Sequence, residues 1–347
     1  MEKRFKIGIC GHLNRTISGE NGQTMKTISV SDELKKIFGE SNVLEVSTHN
    51  WKKQPFKLFF EILKMSRLCS NIIMFPDSNG VRVILPLFLF LQKKHKNNLL
   101  YSVQGAWLPD LLKKKKSLKK RVNKLKAVLV ETNTLASQLK AIGVNNCIVF
   151  KNFKHLETAT DYSIDSYEKG IIKFCYFSRV TPEKGILDAI TAIKKLSDSG
   201  VKLVFDIFGP CPSDFKKSLI DSIKEEHDIF YKGQIDAYES VNTIKNYHYQ
   251  LFPTRYATEG IPGSIIDSFF SGVPVIASRW NSCFDILTTS YNSFVYELGD
   301  VDGLFRLLME VSNLPYKDYL VLRKNCLKSA EEYKPSVCIQ TIVSLMQ

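Results

Sequence analysis

Two cations and two acids stand in this chain at spacings that suit a diphosphate carrying a sugar. Arg179 and Lys184 lie in Arg179-Val-Thr-Pro-Glu-Lys184-Gly185, directly after the apolar run Lys173 to Ser178. That run reads as a buried strand, and open α/β sheets bind ligands beyond the carboxyl ends of their strands. Arg can neutralise a leaving diphosphate with a forked pair of hydrogen bonds, and Lys can do so as a point charge. Glu259 falls in the loop after a second strand run, Gln250 to Pro253. The turn Gly260-Ile261-Pro262-Gly263-Ser264 then opens a helix that carries Asp267 about one turn in. Pro262 suits the first helical position, where a missing N–H costs nothing. Gly263 leaves its amide unshielded and Ser264 adds a hydroxyl beside it, so this helix start attracts phosphate oxygens. Ile261, inside the same turn, is grouped with the donor-binding residues. Positions 263 and 267 share a helix face. A nucleotide-sugar has the matching groups: a diphosphate, a sugar with hydroxyls and a ribose diol.

Each residue also has a plainer reading. Glu259 alone is an ordinary loop carboxylate, and Asp267 a first-turn acid favoured by the helix dipole. Arg179 and Lys184 could be a surface pair near Glu183. The turn and both acids in register favour the ligand reading. Asp300-Val-Asp302 matches a metal-binding Asp-x-Asp, but it directly precedes the helical run Leu304–Leu308, and an N-cap explains it better. Gly8-Ile-Cys-Gly11 lacks the dinucleotide-binding pattern, which argues against an oxidoreductase. No metal and no cofactor is expected beyond the nucleotide-sugar itself.

Together these passages resemble the retaining glycosyltransferases of the GT-B fold, glycosyltransferase family 4. That family carries an Arg, four residues and Lys-Gly after the first strand of its donor domain, and two acids separated by seven residues. Here these are Arg179 to Lys184 and Glu259 to Asp267; most members have Glu at the second acid, so Asp267 shortens the reach by one methylene. The resemblance covers nearly the whole chain. Asn21-Gly22-Gln23-Thr24 is similar to the family's glycine loop, where Gly22 and Gln23 would bring amides to the diphosphate or sugar. Tyr101 to Pro109 is similar to a loop that often carries His-Gly; here Gln104-Gly105 stands there, and a neutral amide replaces the imidazole. The resemblance implies Arg179, Lys184 and Glu259 as catalytic residues and Asp267, Ile261, Gly263, Ser264, Gly22 and Gln23 as donor-binding. It implies retention of configuration without a metal ion. The donor is a UDP-sugar by family habit, and the acceptor a lipid-linked or growing cell-surface glycan. His12, Gln104 and Trp107 are candidates for the sugar or acceptor pocket. His12 has a structural loop role as its alternative, and Trp107 an inter-domain packing role. Two other functions stay open: a nucleotide-sugar epimerase of the same fold, and a non-catalytic basic protein binding membrane or nucleic acid.

The elements that must position these residues alternate along 347 residues, a length that favours two domains. Strands are expected at Phe5–Cys10, Val43–Val46, Ile72–Phe75, Leu99–Ser102, Ala127–Glu131 and Cys147–Phe150. In the second half they fall at Ile172–Ser178, Leu203–Phe208, Ile229–Lys232, Tyr249–Phe252 and Val275–Ala277. Helical runs such as Thr24–Ile37, Phe56–Ser66 and Val83–Lys94 separate them. This alternation predicts an α/β architecture of two Rossmann-like, doubly wound parallel-sheet domains facing a cleft. The expected domains are 1–160, facing acceptor and membrane, and 168–334, binding the nucleotide-sugar. Polar Asn152 to Lys169 is the candidate linker, and by resemblance a helix at 335–347 packs back on the first domain.

The net charge of +13 is carried by the first half: residues 1–150 hold 26 Lys/Arg against 10 Asp/Glu. Its densest part, Lys113 to Lys126, has nine basic residues and no acid, with Leu118, Val122 and Leu125 at helical spacing. It reads as a basic amphipathic segment near an anionic membrane or acceptor, or as a solvated lysine-rich helix. No nucleic-acid signature accompanies it. Eight scattered cysteines without C-x-x-C spacing, and an N-terminus that runs straight into a strand, point to the cytoplasm, at the inner face of the membrane. No apolar run is long enough to span a bilayer.

Overall fold

The computed structural model describes residues 5–15, 22–160 and 170–346. The chain divides into two units: residues up to Lys154 together with Pro335–Gln347, and His155–Lys334.

In the first unit β1 (Phe5–Gly11), β2 (Val43–Ser47), β3 (Cys69–Met74), β4 (Asn98–Ser102), β5 (Ala127–Val130) and β6 (Cys147–Val149) form one sheet in the order β2-β1-β3-β4-β5-β6. Every pairing is parallel. Between the strands run α1 (Gly22–Phe38), α2 (Pro55–Leu68), α3 (Val81–His95), α4 (Leu108–Lys114), α5 (Lys116–Val122) and α6 (Asn133–Ala141). Alternation along each strand sends side chains to two cores. Ile72 and Met74 pack with α2, α3, α5 and α6, whereas Ile73 packs with Val30 and Leu34 of α1.

The second unit holds β7 (Ile172–Phe177), β8 (Leu203–Phe208), β9 (Ile229–Gly233), β10 (Tyr249–Phe252), β11 (Val275–Ser278) and β12 (Ser293–Tyr296). Their order is β12-β11-β10-β7-β8-β9, again all parallel. Its helices are α7 (Ile186–Asp198), α8 (Ser213–Ile223), α9 (Ser240–Ile244), α10 (Gly263–Phe270), α11 (Val301–Ser312) and α12 (Tyr316–Ala330). Strand order reverses between β7 and β10, and between β1 and β3 in the first unit. Loops leave in opposite directions at such a point, which opens a crevice beyond the strand ends.

The twelfth strand is absent from the sequence expectations. Ser293–Tyr296 is a four-residue edge strand between polar segments, too short to show a period. The segment expected as a linker is packed along its first part: Phe153 is in the first unit's core, Leu156 and Ala159 touch the second unit's core, and the Ala159 amide donates to Phe270 O at 2.8 Å. The tail is two short helices, α13 (Pro335–Cys338) and α14 (Gln340–Met346), that place Cys338, Ile339 and Ile342 in the core beside Val30. Asp300 is the N-cap of α11, its carboxylate accepting from the Gly303 amide at 2.8 Å.

The apolar stripe of the basic segment Lys113–Lys126 lies inside the unit. Leu118, Val122 and Leu125 are buried in the unit's own core. Their stripe is therefore spent on folding and cannot enter a bilayer, while eight of the nine basic residues remain exposed.

Candidate functional site

Arg179 and Glu259 follow β7 and β10, the two strands that flank the reversal in the second sheet. The β7 loop continues through a single 3₁₀ turn, Pro182–Lys184, into α7. Gly185 makes that junction with φ 73°, and a Cβ there would stand 1.8 Å from the Pro253 carbonyl oxygen. Only glycine lets the two loops approach this closely.

Several contacts tie the loops together. The Lys184 ammonium bonds Glu259 Oε1 and lies 5.6 Å from the Phe252 ring centroid and 5.2 Å from that of Tyr256. Thr254 Oγ1 donates to the same Glu259 oxygen at 2.9 Å. The Arg255 amide donates to Glu183 O at 2.9 Å, and its guanidinium grips Asp188 of α7 with two bonds of 2.8 and 2.7 Å. Those bonds raise the Arg255 pKa further above its ordinary value. From the next strand Ser278 Oγ donates to Thr254 O at 2.5 Å. Glu183 is held below the usual carboxylate range by hydrogen bonds to its own backbone amide and from Thr181. Arg179 is exposed; Tyr176 OH donates to its carbonyl at 2.7 Å, and among the described residues its guanidinium makes no hydrogen bond or ion pair.

The helix start differs from expectation in one detail. Pro262 is the N-cap, extended at φ −68° and ψ 127°, and Gly263 is the first helical residue. Among the described residues no side chain caps this helix; the Ile265 amide donates to Pro262 O at 3.1 Å, and the Gly263 and Ser264 amides ahead of it lie before the first intrahelical bond. Gln250 Nε2 donates to Ser264 O at 3.2 Å and fixes the helix to β10. The Ile261 side chain is buried with Phe252 and Ile265, so it offers a ligand only its backbone. Asp267 is fully buried and accepts from Ser240 Oγ of α9 at 2.9 Å.

The candidates of the first unit converge around its own reversal. His12, just beyond β1, places Nδ1 2.6 Å from Thr24 Oγ1 and Nε2 2.9 Å from His49 Nδ1. Gln23 Nε2 donates to Phe75 O at 2.7 Å, so its side chain is spent on the scaffold. Gln104 Nε2 donates to Gln23 O at 3.4 Å, and Trp107 Nε1 donates back to Gln104 O at 2.7 Å. Trp107 also packs on its own unit's core. Gly22 opens α1 with open space where a Cβ would be, and Asn21 lies outside the described residues. A pocket of about 360 Å³ opens beside His49 and Trp51, bordered by Glu45, Ser47 and Gln54. Sequence reasoning missed Asp188, Arg255, Ser240 and His49. Arg255 stood inside the motif itself; Ser240 has no local signal, because only the fold brings it to Asp267.

Residues 164–332, most of the second unit, match the family model described as Glycosyl transferases group 1. A curated relative, the 2-deoxystreptamine N-acetyl-D-glucosaminyltransferase of Niallia circulans, is 26% identical over 176 residues, 49% of this chain and 44% of that protein. The chain thus spans less than half the length of the curated relatives it matches. The chain is similar in structure to HepE of Anabaena, solved in complex with UDP and glucose, with a TM-score of 0.74 at 13% identity over 98% of this chain and 99% of that one. It is also similar to a glycosyltransferase from Rickettsia africae ESF-5, with a TM-score of 0.76 at 15% identity over 100% and 98%. The fold is GT-B.

Proposed function

We propose that this chain is a retaining glycosyltransferase of family 4. It moves a sugar from a nucleotide-diphospho-sugar, a UDP-sugar, to a hydroxyl of a lipid-linked or growing cell-surface glycan of the capsule type. The observation that carries the reading is the Lys184–Glu259 pair, clamped where strand order reverses, beside an exposed Arg179 and an uncapped helix start. The match to a glycosyl transferases group 1 domain, and a structural neighbour solved with UDP and glucose, support it.

The difficult step is departure of the diphosphate as positive charge develops on the sugar. Arg179, Lys184 and the amides of Gly263 and Ser264 stabilise the charge that grows on the leaving group, and they do so without a metal ion. Among the described residues both side-chain bonds to Glu259 fall on Oε1, which leaves Oε2 for donor hydroxyls. The acceptor oxygen attacks the face from which the diphosphate leaves, and a donor phosphate oxygen takes its proton. Asp267 binds the ribose once Ser240 moves aside. Gly22 and Gln23 contribute backbone amides, and His12, Gln104 and Trp107 border the sugar or acceptor. The protein works at the inner face of the membrane, with Lys113–Lys126 drawn to anionic lipid.

Thermal shift with a panel of nucleotide-sugars tests the donor site. One or a few members should stabilise the wild type, and less so Glu259→Ala and Arg179→Ala. A folded protein indifferent to every member sinks the assignment. Product from the donor alone would indicate an epimerase instead.

A further inference from the structure

We infer that the outward face of α2, α3 and α5 is a docking surface for an anionic phospholipid bilayer, in which phenylalanines of α2 and α3 enter the interface and the surrounding lysines meet the headgroups. This deepens the membrane contact proposed above and rests on that contact, not on the sugar transfer.

A helix on a globular domain needs one apolar stripe, facing its core. The second helix has two. Leu58, Ile62 and Met65 face inward and are buried. On the other side Phe56 is 79% exposed, Phe60 64% and Phe59 41%. With half-buried Leu63 they fall at i, i+3, i+4 and i+7, one continuous stripe. The third helix repeats the pattern: Ile84, Leu85, Phe88 and Leu91 face inward, while Val83 is 51% and Phe90 71% exposed, seven positions apart. Single exposed apolar side chains need no explanation, but two adjacent helices each showing a second apolar face do.

The topology puts these faces side by side. After β2 the chain moves steadily from β3 to β6 across the sheet. Right-handed crossovers then place α2, α3 and α5 on one side. Their inward residues share one core, and α3 packs against both α2 and α5.

Charge selects the occupant. Residues 51–68 carry Lys52, Lys53, Lys57, Lys64 and Arg67 against Glu61 alone. Residues 81–96 carry Arg82, Lys93, Lys94 and Lys96 with no acid, and the nine basic residues of Lys113–Lys126 follow. A second copy docked on this face would bring like charges together. An anionic bilayer takes both parts at once: aromatic side chains suit its interface, and basic residues are drawn to its surface potential. Among the described residues no helix is long and apolar enough to cross a membrane, so the contact lies on the surface.

The test is vesicle flotation of the full chain, with phosphatidylcholine alone or mixed with phosphatidylglycerol. The wild type should float with the anionic vesicles only, and less as salt rises. Phe56→Ser/Phe60→Ser/Phe90→Ser alters exposed positions and no charge; it should lose at least about tenfold in partitioning, since interfacial burial of apolar surface is removed. Lys114→Ala/Lys116→Ala/Lys120→Ala should lose a similar amount. If the phenylalanine variant floats like the wild type, the lysines act alone; the inference falls and the simpler membrane contact stands. If the wild type floats with no vesicle, both fall. Equal flotation with neutral vesicles overturns the charge argument. A wild-type dimer that the phenylalanine variant abolishes shows a second copy covering the face, and also overturns it. Nucleotide-sugar thermal shifts on the same samples report the donor site independently.

Discussion

Lys184 and Glu259 stand 75 positions apart in sequence, and the ammonium of one lies on the carboxylate of the other. Each comes from the loop after one of two adjacent parallel strands, β7 and β10. The Lys184 ammonium lies near the Phe252 and Tyr256 rings and both partners have little exposure, so removing one leaves the other charge poorly solvated.

Lys184→Met and Glu259→Gln should therefore each cost far more than a surface ion pair. Each should lower turnover by about a hundredfold or more, the usual loss when a charge-stabilising group is removed. Their effects should not add: a coupling of about 1–3 kcal/mol is expected for groups in one network. A double-mutant cycle on nucleotide-sugar affinity measures it. Additive losses would mean that the two residues act on the ligand separately.

The Arg255–Asp188 clamp should act through the loop rather than on the ligand. Arg255→Lys keeps the charge but loses the forked pair, so it should weaken donor binding nearly as much as Arg255→Ala. Asp188→Asn should do the same. Calorimetric titration with UDP on all three variants checks this; full affinity in Arg255→Lys would show that charge alone suffices.

Gly185 and Gly22 should separate under the same substitution. Gly185→Ala puts a Cβ against the Pro253 carbonyl at positive φ, and should cost at least about 2 kcal/mol. Gly22→Ala meets nothing among the described residues and should change stability by no more than about 0.5 kcal/mol, so any loss of donor binding there reports on the ligand. Denaturant unfolding at one pH gives both numbers.

His248 makes stability depend on pH. It is buried, its Nδ1 accepts from the Lys173 amide at 2.7 Å, and burial beside Arg323 and Lys173 lowers its pKa to about 3. Between that value and the ordinary 6.5 the unfolded chain binds the extra proton. The contribution is therefore complete above pH 6.5 and is lost as pH falls toward 3. Moving from pH 7.5 to pH 5 should remove about 2 kcal/mol from this group. Unfolding curves at both values test it, with His248→Gln expected to flatten the dependence.

The Lys184–Glu259 neighbourhood was legible because it sits in two short runs whose glycines, prolines and charges are local signals. Apolar runs separated by helical periods likewise announced eleven of the strands. What the sequence hid depends on three-dimensional proximity. Leu118, Val122 and Leu125 have the spacing of a membrane-facing stripe, yet the core takes them, because periodicity tells that a face is apolar and not what covers it. The phenylalanines of α2 show the converse: Phe56, Phe59 and Phe60 share a helix with core residues, and only the packed fold reveals that they face outward. Ser240 carries no motif and matters only because α9 lies against α10.

That last contact bears on Asp267 itself. Asp267 has no exposed surface and is held by Ser240 Oγ. Asp267→Glu adds a methylene at a fully buried position, and should destabilise by about 1–3 kcal/mol. Adding Ser240→Gly removes the hydroxymethyl group that the longer carboxylate meets, so the double variant should recover part of that loss even though glycine is a poor helix residue. Ser240→Ala alone should cost about 1–3 kcal/mol, since it takes a hydrogen bond from a buried carboxyl group. Denaturant midpoints of the three variants decide between packing and chemistry. If Asp267→Glu is as stable as the wild type, the surroundings of residue 267 already accommodate the longer side chain, and the packing argument falls.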